Sequence, residues 1–413
     1  MTPSRRASLF RGITRNVVML GLVSLLTDVS SEMLTYLIPL FLANVLAASP
    51  AVIGVIEGLA ESAASLFRLV SGVISDRFER RRLLVGIGYG TSVAGKVLYL
   101  AATTWPIVLA ARLGDRFGKG IRTAPRDALI ADSTPPDARG RAFGFHRALD
   151  TAGAVIGVAI AALVVSQLQG DVLRLAGDTF RTLVLIALVP GIAAVVVIAV
   201  AVRDVPRARA APSAAEPGAA PTIKPTGWRR FPAAFWIFVV ASGLFTLGNS
   251  SDAFLALRSQ NLGLAVRDLL LIVIAFNVTN ALISIPAGAL SDRFGRRIPI
   301  AFAWAIYAVV YAGFAVAGSA GSVPILWIVY GAYYGISDAV GRALVADLAP
   351  VELRATGYGI LNAVVGLLLL PASIIAGVLW DAIAPSAPFW FGAACAAGGT
   401  ILLVAFVRPR RGA

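Results

Sequence analysis

Stretches of about 20 largely apolar residues recur twelve times along this chain, at roughly 17–43, 51–74, 83–103, 106–131, 141–166, 180–202, 233–258, 268–290, 298–318, 322–347, 357–381 and 387–407. That is the length a helix needs to cross the hydrocarbon core, where every backbone N–H and C=O must be satisfied within the helix. The pattern restricts the chain to an all-α integral membrane protein. Of 413 residues, 58% are hydrophobic and 14% charged, whereas soluble domains are roughly half apolar and a quarter charged. The net charge of +14 does not point to nucleic acid. Most arginines lie in short gaps between the apolar runs, not along one basic face.

Those gaps orient the chain. Arg5, Arg6, Arg11 and Arg15 precede span 1, and Arg77, Arg80, Arg81 and Arg82 lie between spans 2 and 3. Arg139 and Arg141 lie between spans 4 and 5, Arg293, Arg296 and Arg297 between spans 8 and 9, and Arg354 between spans 10 and 11. Arg408, Arg410 and Arg411 follow span 12, while the opposite loops carry almost no positive charge. The bias places both termini in the cytoplasm, with the chain in the cytoplasmic (inner) membrane. Residues 1–16 read as a cytoplasmic tail, because the apolar run that follows is too long for a cleaved signal peptide. The Pro- and Ala-rich stretch 203–230 reads as a flexible cytoplasmic linker between six-helix bundles at 17–202 and 231–407, leaving a short tail at 408–413. One cysteine, Cys395, and one histidine, His146, exclude a disulfide framework and a Cys- or His-rich metal site. No cofactor and no metal are expected. With neither a phosphate-binding Gly-rich loop nor a catalytic triad in the sequence, it does not read as an enzyme.

The two halves repeat. GVISDRFERRR at 72–82 matches GALSDRFGRRI at 288–298, and DSTPPDARGRAFG at 132–144 matches DLAPVELRATGYG at 347–359. Paired six-span repeats joined by a central loop are a transporter architecture. On these residues the chain resembles the major facilitator superfamily over essentially its whole length. The family's loop signature, Gly-x-x-x-Asp-Arg-x-Gly-Arg-Arg, is complete in the second copy: Gly288, Asp292, Arg293, Gly295, Arg296 and Arg297. The first copy has Gly72, Asp76, Arg77, Arg80 and Arg81, with Glu79 in place of the second glycine. TDVSSEML in span 1 and GKGIRTAPRDALIADS in span 4 suggest a prokaryotic branch. The resemblance implies a monomer in the lipid bilayer that moves a small solute by alternating access. It also implies that the loop motifs latch the cytoplasmic side; the alternative is a plain positive-inside anchor.

Ionisable residues within the spans mark candidate sites, since charge in the membrane interior is costly. Asp28 and Glu32 lie one turn apart on one face of span 1. A carboxylate withdrawn from water can hold and release a proton near neutral pH, which is what proton coupling requires; a salt bridge to a span 4 arginine is the alternative. Glu57 and Glu61 in span 2 are expected to form a structural network with Lys96 or Arg112. In span 4, Asp115, Lys119, Arg122 and Arg126 step at helical spacing, flanked by Arg112 and Arg116. The resemblance implies a span 4 arginine tied to proton transfer, at Arg112 or Arg116. Cations left over in the cavity would favour an anionic substrate; complete internal pairing is the other reading. At the start of span 5, His146 and Asp150 are a possible proton relay or a structural hydrogen-bonded pair, and Gly153-x-x-x-Gly157 allows close helix packing. It resembles the family's antiporter motif, with Val158 where a proline is expected. In the second half, Asn249, Asp252, Tyr333, Tyr334 and Asp338 are cavity candidates, with Asp338 and Arg342 read as a local pair. The expected function is proton-coupled export. The alternatives are an uptake symporter or uniporter, and a non-transporting sensor or scaffold.

Overall fold

A computed structural model of the chain describes residues 13–77, 80–135, 138–205, 230–350 and 353–407. Every regular element among them is helical. In order these are α1 (Arg15–Thr35), α2 (Leu37–Asn44), α3 (Pro50–Arg77), α4 (Arg81–Leu100), α5 (Trp105–Asp132), α6 (Arg139–Leu168) and α7 (Gly177–Ala201). The second half holds α8 (Ala233–Gly248), α9 (Ala253–Asn261), α10 (Val266–Phe294), α11 (Arg297–Val316), α12 (Val323–Leu348), α13 (Arg354–Ala382) and α14 (Ala387–Phe406).

Two expected spans are interrupted. Span 1 is α1 plus α2, broken at Tyr36. Pro39 explains the break: it has no N–H to give the Thr35 carbonyl four residues back, and its ring crowds that carbonyl. Span 7 is α8 plus α9, with residues 249–252 (Asn-Ser-Ser-Asp) outside either helix. Side chains of these types compete with the backbone for its own hydrogen bonds, which weakens a helix that depends on them.

Among the described residues, ten helical stretches are long and apolar enough to cross a membrane by length and composition alone. Trp105–Asp132 is not among them because it carries the span 4 charges, and in Val323–Leu348 several side chains fall outside the described set. Apolar residues such as Val200, 79% exposed, and Leu367, 71% exposed, supply surface suited to lipid.

The chain divides into two compact units. One comprises Met1–Leu46, Ala63–Gly170 and Leu175–Ala215; the other comprises Ala47–Ser62, Asp171–Arg174 and Glu216–Ala413. The first half of α3 therefore belongs with the second unit. Glycines make this possible: a Cβ on Gly54 would lie 2.2 Å from the Ser373 carbonyl oxygen. The Ala51 N–H, in the first turn of α3, donates to Asp381 at 2.9 Å. Most of the linker, residues 206–229, lies outside the described residues.

Each unit repeats one packing scheme. Span 1 packs on spans 5 and 6, and span 3 on spans 4 and 6; span 7 packs on spans 11 and 12, and span 9 on spans 10 and 12. Close approach rests on small residues. A Cβ on Gly153 or Gly157 would lie 2.5 Å from the carbonyl oxygen of Leu25 or Val29, so α6 lies directly on α1. Gly88 and Gly118 play the same part between α4 and α5.

Arg258 illustrates how a charge is settled within a span. Its guanidinium donates to the carbonyls of Phe314 (3.1 Å) and Ala317 (3.0 Å) and to Asn261 Oδ1 (2.7 Å). It thereby satisfies orphan carbonyls at the C-terminal end of α11, where the helix dipole also favours a cation. Arg258→Met is expected to lower stability by about 2 kcal/mol, read as a fall in detergent melting temperature.

Candidate functional site

In the first unit the ionisable side chains of spans 1, 3, 4 and 5 converge. The charges acting on Asp28 are those of Asp150, Glu32, Lys119 and Arg122. Those acting on Glu32 are Lys119, Arg116, Arg112 and Asp115. Among the described residues neither carboxylate closes a hydrogen bond or a salt bridge. Lys119 is exposed, whereas Arg112 and Arg116 are buried.

The remaining charges of span 4 are held more tightly. Arg122 donates to Ser92 Oγ at 2.7 Å and lies over the Tyr89 ring, 4.2 Å from its centroid, a cation–π contact between α5 and α4. Asp115 sits among Lys96, Arg116, Arg122 and Arg112. Lys96 donates to Ser31 Oγ at 3.0 Å. It thus turns toward spans 1 and 4, with Asp115, Arg122, Asp28 and Glu32 among its charged neighbours. Glu57 accepts from Ser251 Oγ at 3.4 Å within the second unit.

A second cluster is formed by Ser24 of α1, Arg126 and Asp127 of α5, and His146 and Asp150 of α6. Asp150 accepts from Ser24 Oγ and lies 3.6 Å from His146 Nδ1. Arg126 reaches Ser24 Oγ at 3.4 Å and grips Asp127 Oδ1 at 2.9 Å and 3.0 Å. His146 is 4% exposed, and its Nε2 has no hydrogen-bond partner among the described residues. Asp150 therefore connects His146 with the surroundings of Asp28.

In the second unit Asp252 is the centre. Tyr330 donates to Oδ1 at 2.7 Å and Tyr334 to Oδ2 at 3.3 Å. Tyr333 is buried against both rings, at 5.5 Å and 5.4 Å between centroids, and Asn249 caps α8 at the break. The sequence singled out Asp252, Tyr333 and Tyr334, but not the Tyr307, Tyr311 and Tyr330 hydroxyls or the break itself. The run Asn-Ser-Ser-Asp at 249–252 was the available signal.

The loop motifs are partly described. The side chains of Asp76, Arg77, Asp292, Asp338 and Arg342 lie outside the described set, as does Glu79. Gly72 and Gly288 lie within α3 and α10, and Arg80 and Arg293 are exposed. Gly295 ends α10 at φ +79°, ψ 156°, a conformation that only glycine adopts readily, which accounts for it in the motif. Arg81 pairs with Asp132, and Arg296 pairs with Asp347 at 3.0 Å. A motif arginine thus meets the corresponding aspartate in both repeats, but one position apart, since Arg81 aligns with Arg297 and Arg296 with Arg80. Arg297 instead donates to the Val404 carbonyl. The Arg81 pair has side chains 10% and 32% exposed, against 32% and 42% in the second pair. Double-mutant cycles on thermal unfolding are expected to give about 1 kcal/mol or more for Arg81 with Asp132, and less than that for Arg296 with Asp347.

A bundle of membrane-spanning helices in two repeats, with a charged interior in one unit and an aromatic-rich acidic centre in the other, defines a membrane transporter. The family model for the Major Facilitator Superfamily matches residues 20–257 and again 248–413, and the chain belongs to that family. It is 34% identical over 400 residues to an uncharacterized MFS-type transporter of Methanocaldococcus jannaschii, covering 95% of each chain. A shorter stretch of 126 residues, 29% of this chain and 30% of the relative, is 38% identical to a class C tetracycline resistance protein of Escherichia coli. Among solved structures, a nucleoside transporter superposes with a TM-score of 0.72 at 16% identity, covering 95% of this chain and 98% of that one. That likeness establishes the fold alone.

Proposed function

We propose that this transporter is a proton-coupled exporter of a small solute in the cytoplasmic membrane, with both termini inside. One observation carries the reading. Asp28 and Glu32, one turn apart within the span 1 helix, face the cations of span 4 without closing a salt bridge to any of them among the described residues. A carboxylate locked to an arginine stays charged. One held near several cations but bonded to none can exchange its proton as solute comes and goes. Export is supported by the stretch shared with a drug-resistance protein, and the orientation by the arginine-rich loops.

The electrostatics also set the sign of coupling. A solute bearing a cationic or hydrogen-bond-donating group competes with the proton for Asp28 and Glu32, which is antiport. An anionic solute binds best once the carboxylates are neutral and Lys119 is released from them, so solute and proton travel together. Lys119, exposed and acting on both carboxylates, is the observation that favours this second reading.

Proteoliposomes loaded with a pH dye separate the two. External addition of cationic drugs, metal chelates and anions is followed by the direction of the internal pH change. Antiport is expected to make the lumen alkaline with a cationic or chelated solute. Acidification with anions alone would establish the symport reading, and no proton movement with any class would contradict proton coupling.

A further inference from the structure

We propose that the link between α6 and α7 is a releasable strap. Its segment Asp171–Arg174 is clasped by Arg267 in one state of the transport cycle and let go in the other.

The link joins two helices of the first unit, yet Asp171–Arg174 is counted with the second. Polar contacts with the end of α9 and the start of α10 account for that. Arg267 pairs with Asp171. The Val266 N–H donates to the Val172 carbonyl at 3.3 Å, and Gln260 Nε2 donates to the Leu173 carbonyl at 2.6 Å. By the count of spans, the link lies on the face of the membrane opposite the loop motifs at 72–82 and 288–298.

Each of these contacts can open at little cost. Arg267 also grips Asp268 Oδ1, through Nε at 3.1 Å and Nη2 at 2.9 Å. When Asp171 departs, the guanidinium therefore keeps a carboxylate. The side chain of Asp171 is 64% exposed and that of Arg267 34%, so water takes up the separated charges. Val266 opens α10, and its N–H is one of the four at a helix start that have no partner within the helix. Water replaces the Val172 carbonyl there. The side chains of Val172 and Leu173 are exposed, so release gives up no apolar burial.

The tethers on either side are short. Gly170, at φ +63°, turns the chain out of α6 into the strap, a conformation that favours glycine. Gln169 Oε1 accepts from the Ala176 N–H at 2.9 Å and pinches the two ends of the link together. Leu175 is buried and counted with the first unit. Residues 169–170 and 175–176 are all that lead to the strap, a reach of about 7 Å on each side. Alternating access by rocking of one repeat against the other moves α6 and α7 relative to α9 and α10. Motion beyond that slack parts the clasp, so the clasp favours the state in which it forms.

The inference rests on alternating access and not on proton coupling. Its test is the distance distribution between spin labels at Thr103 and Ser319, measured by double electron–electron resonance on the full chain in nanodiscs. Both positions are exposed, in loops on the same membrane face as the link, and Cys395→Ser removes the native thiol. Asp171→Asn is expected to raise the share of the longer-distance population about two- to fivefold, the scale of an exposed ion pair. Arg267→Gln is expected to do the same, and the double variant to add little. Salt at about 0.5 M should shift the parent protein in the same direction and leave Asp171→Asn unmoved. Two populations indifferent to both substitutions would overturn the strap alone, and a single population throughout would overturn alternating access with it. A shift in Arg267→Gln with none in Asp171→Asn would assign the effect to Asp268 and overturn the proposal. A lower melting temperature with an unchanged distribution would do so too, by making the strap a plain structural tie.

Discussion

Gly157→Val leaves little or no folded transporter. Its Cβ would lie 2.5 Å from the Val29 carbonyl oxygen and 3.0 Å from the Val29 Cα, both backbone atoms that cannot rotate away. The only relief is to move α6 off α1, which separates Asp150 from Ser24. Overpacking of one site costs about 1–3 kcal/mol where side chains can yield; backbone contact places Gly157 at or above the top of that range. The double variant Gly153→Val, Gly157→Val is expected to elute as aggregate in size-exclusion chromatography. Gly90→Ala is the matched control, because nothing lies within 4 Å of its added Cβ. Equal melting temperatures for Gly157→Val and Gly90→Ala would show that α1 and α6 do not pack as described.

Asp28→Asn is expected to reduce solute-driven proton movement by about two orders of magnitude or more, the scale on which a positioned proton-transfer group acts. Folding should survive, since Asp28 closes no salt bridge or hydrogen bond among the described residues and asparagine preserves its shape. Counterflow of solute between equal concentrations needs no net proton transfer and is expected to persist to a greater degree. Asp28→Glu is expected to recover part of the proton movement, which a merely structural aspartate would not do. If Asp28→Asn lowered the melting temperature while coupled flux per folded molecule stayed constant, Asp28 would be a packing residue.

What the sequence made legible was what is local or periodic. Span lengths, the halves related by the 72–82 and 288–298 motifs, and the Gly153-x-x-x-Gly157 contact all follow from spacing along one helix. So does the face shared by Asp28 and Glu32. The stripe in span 4 was visible, but its division was not: Arg122 goes to Tyr89 and Ser92, and Arg126 to Asp127 and Ser24. Those partners, apart from Asp127, lie on other helices, and helical spacing carries no information about them. The break in span 7 was hidden for another reason. Residues 233–258 read as one apolar run, and four polar residues barely alter its mean. Only the tertiary structure shows Tyr330 and Tyr334, some eighty residues on, diverting Asp252 from its capping position.

Proton and solute flux measured on the same proteoliposomes, for Asp28→Asn, Glu32→Gln and Asp252→Asn side by side, bear most directly on where coupling resides. The predicted result is that neutralising the span 1 carboxylates, Asp28 above all, collapses the proton-to-solute ratio. Asp252→Asn changes the rate and leaves that ratio intact. The contradicting result is the reverse: coupling lost with Asp252→Asn and preserved when both Asp28 and Glu32 are neutral.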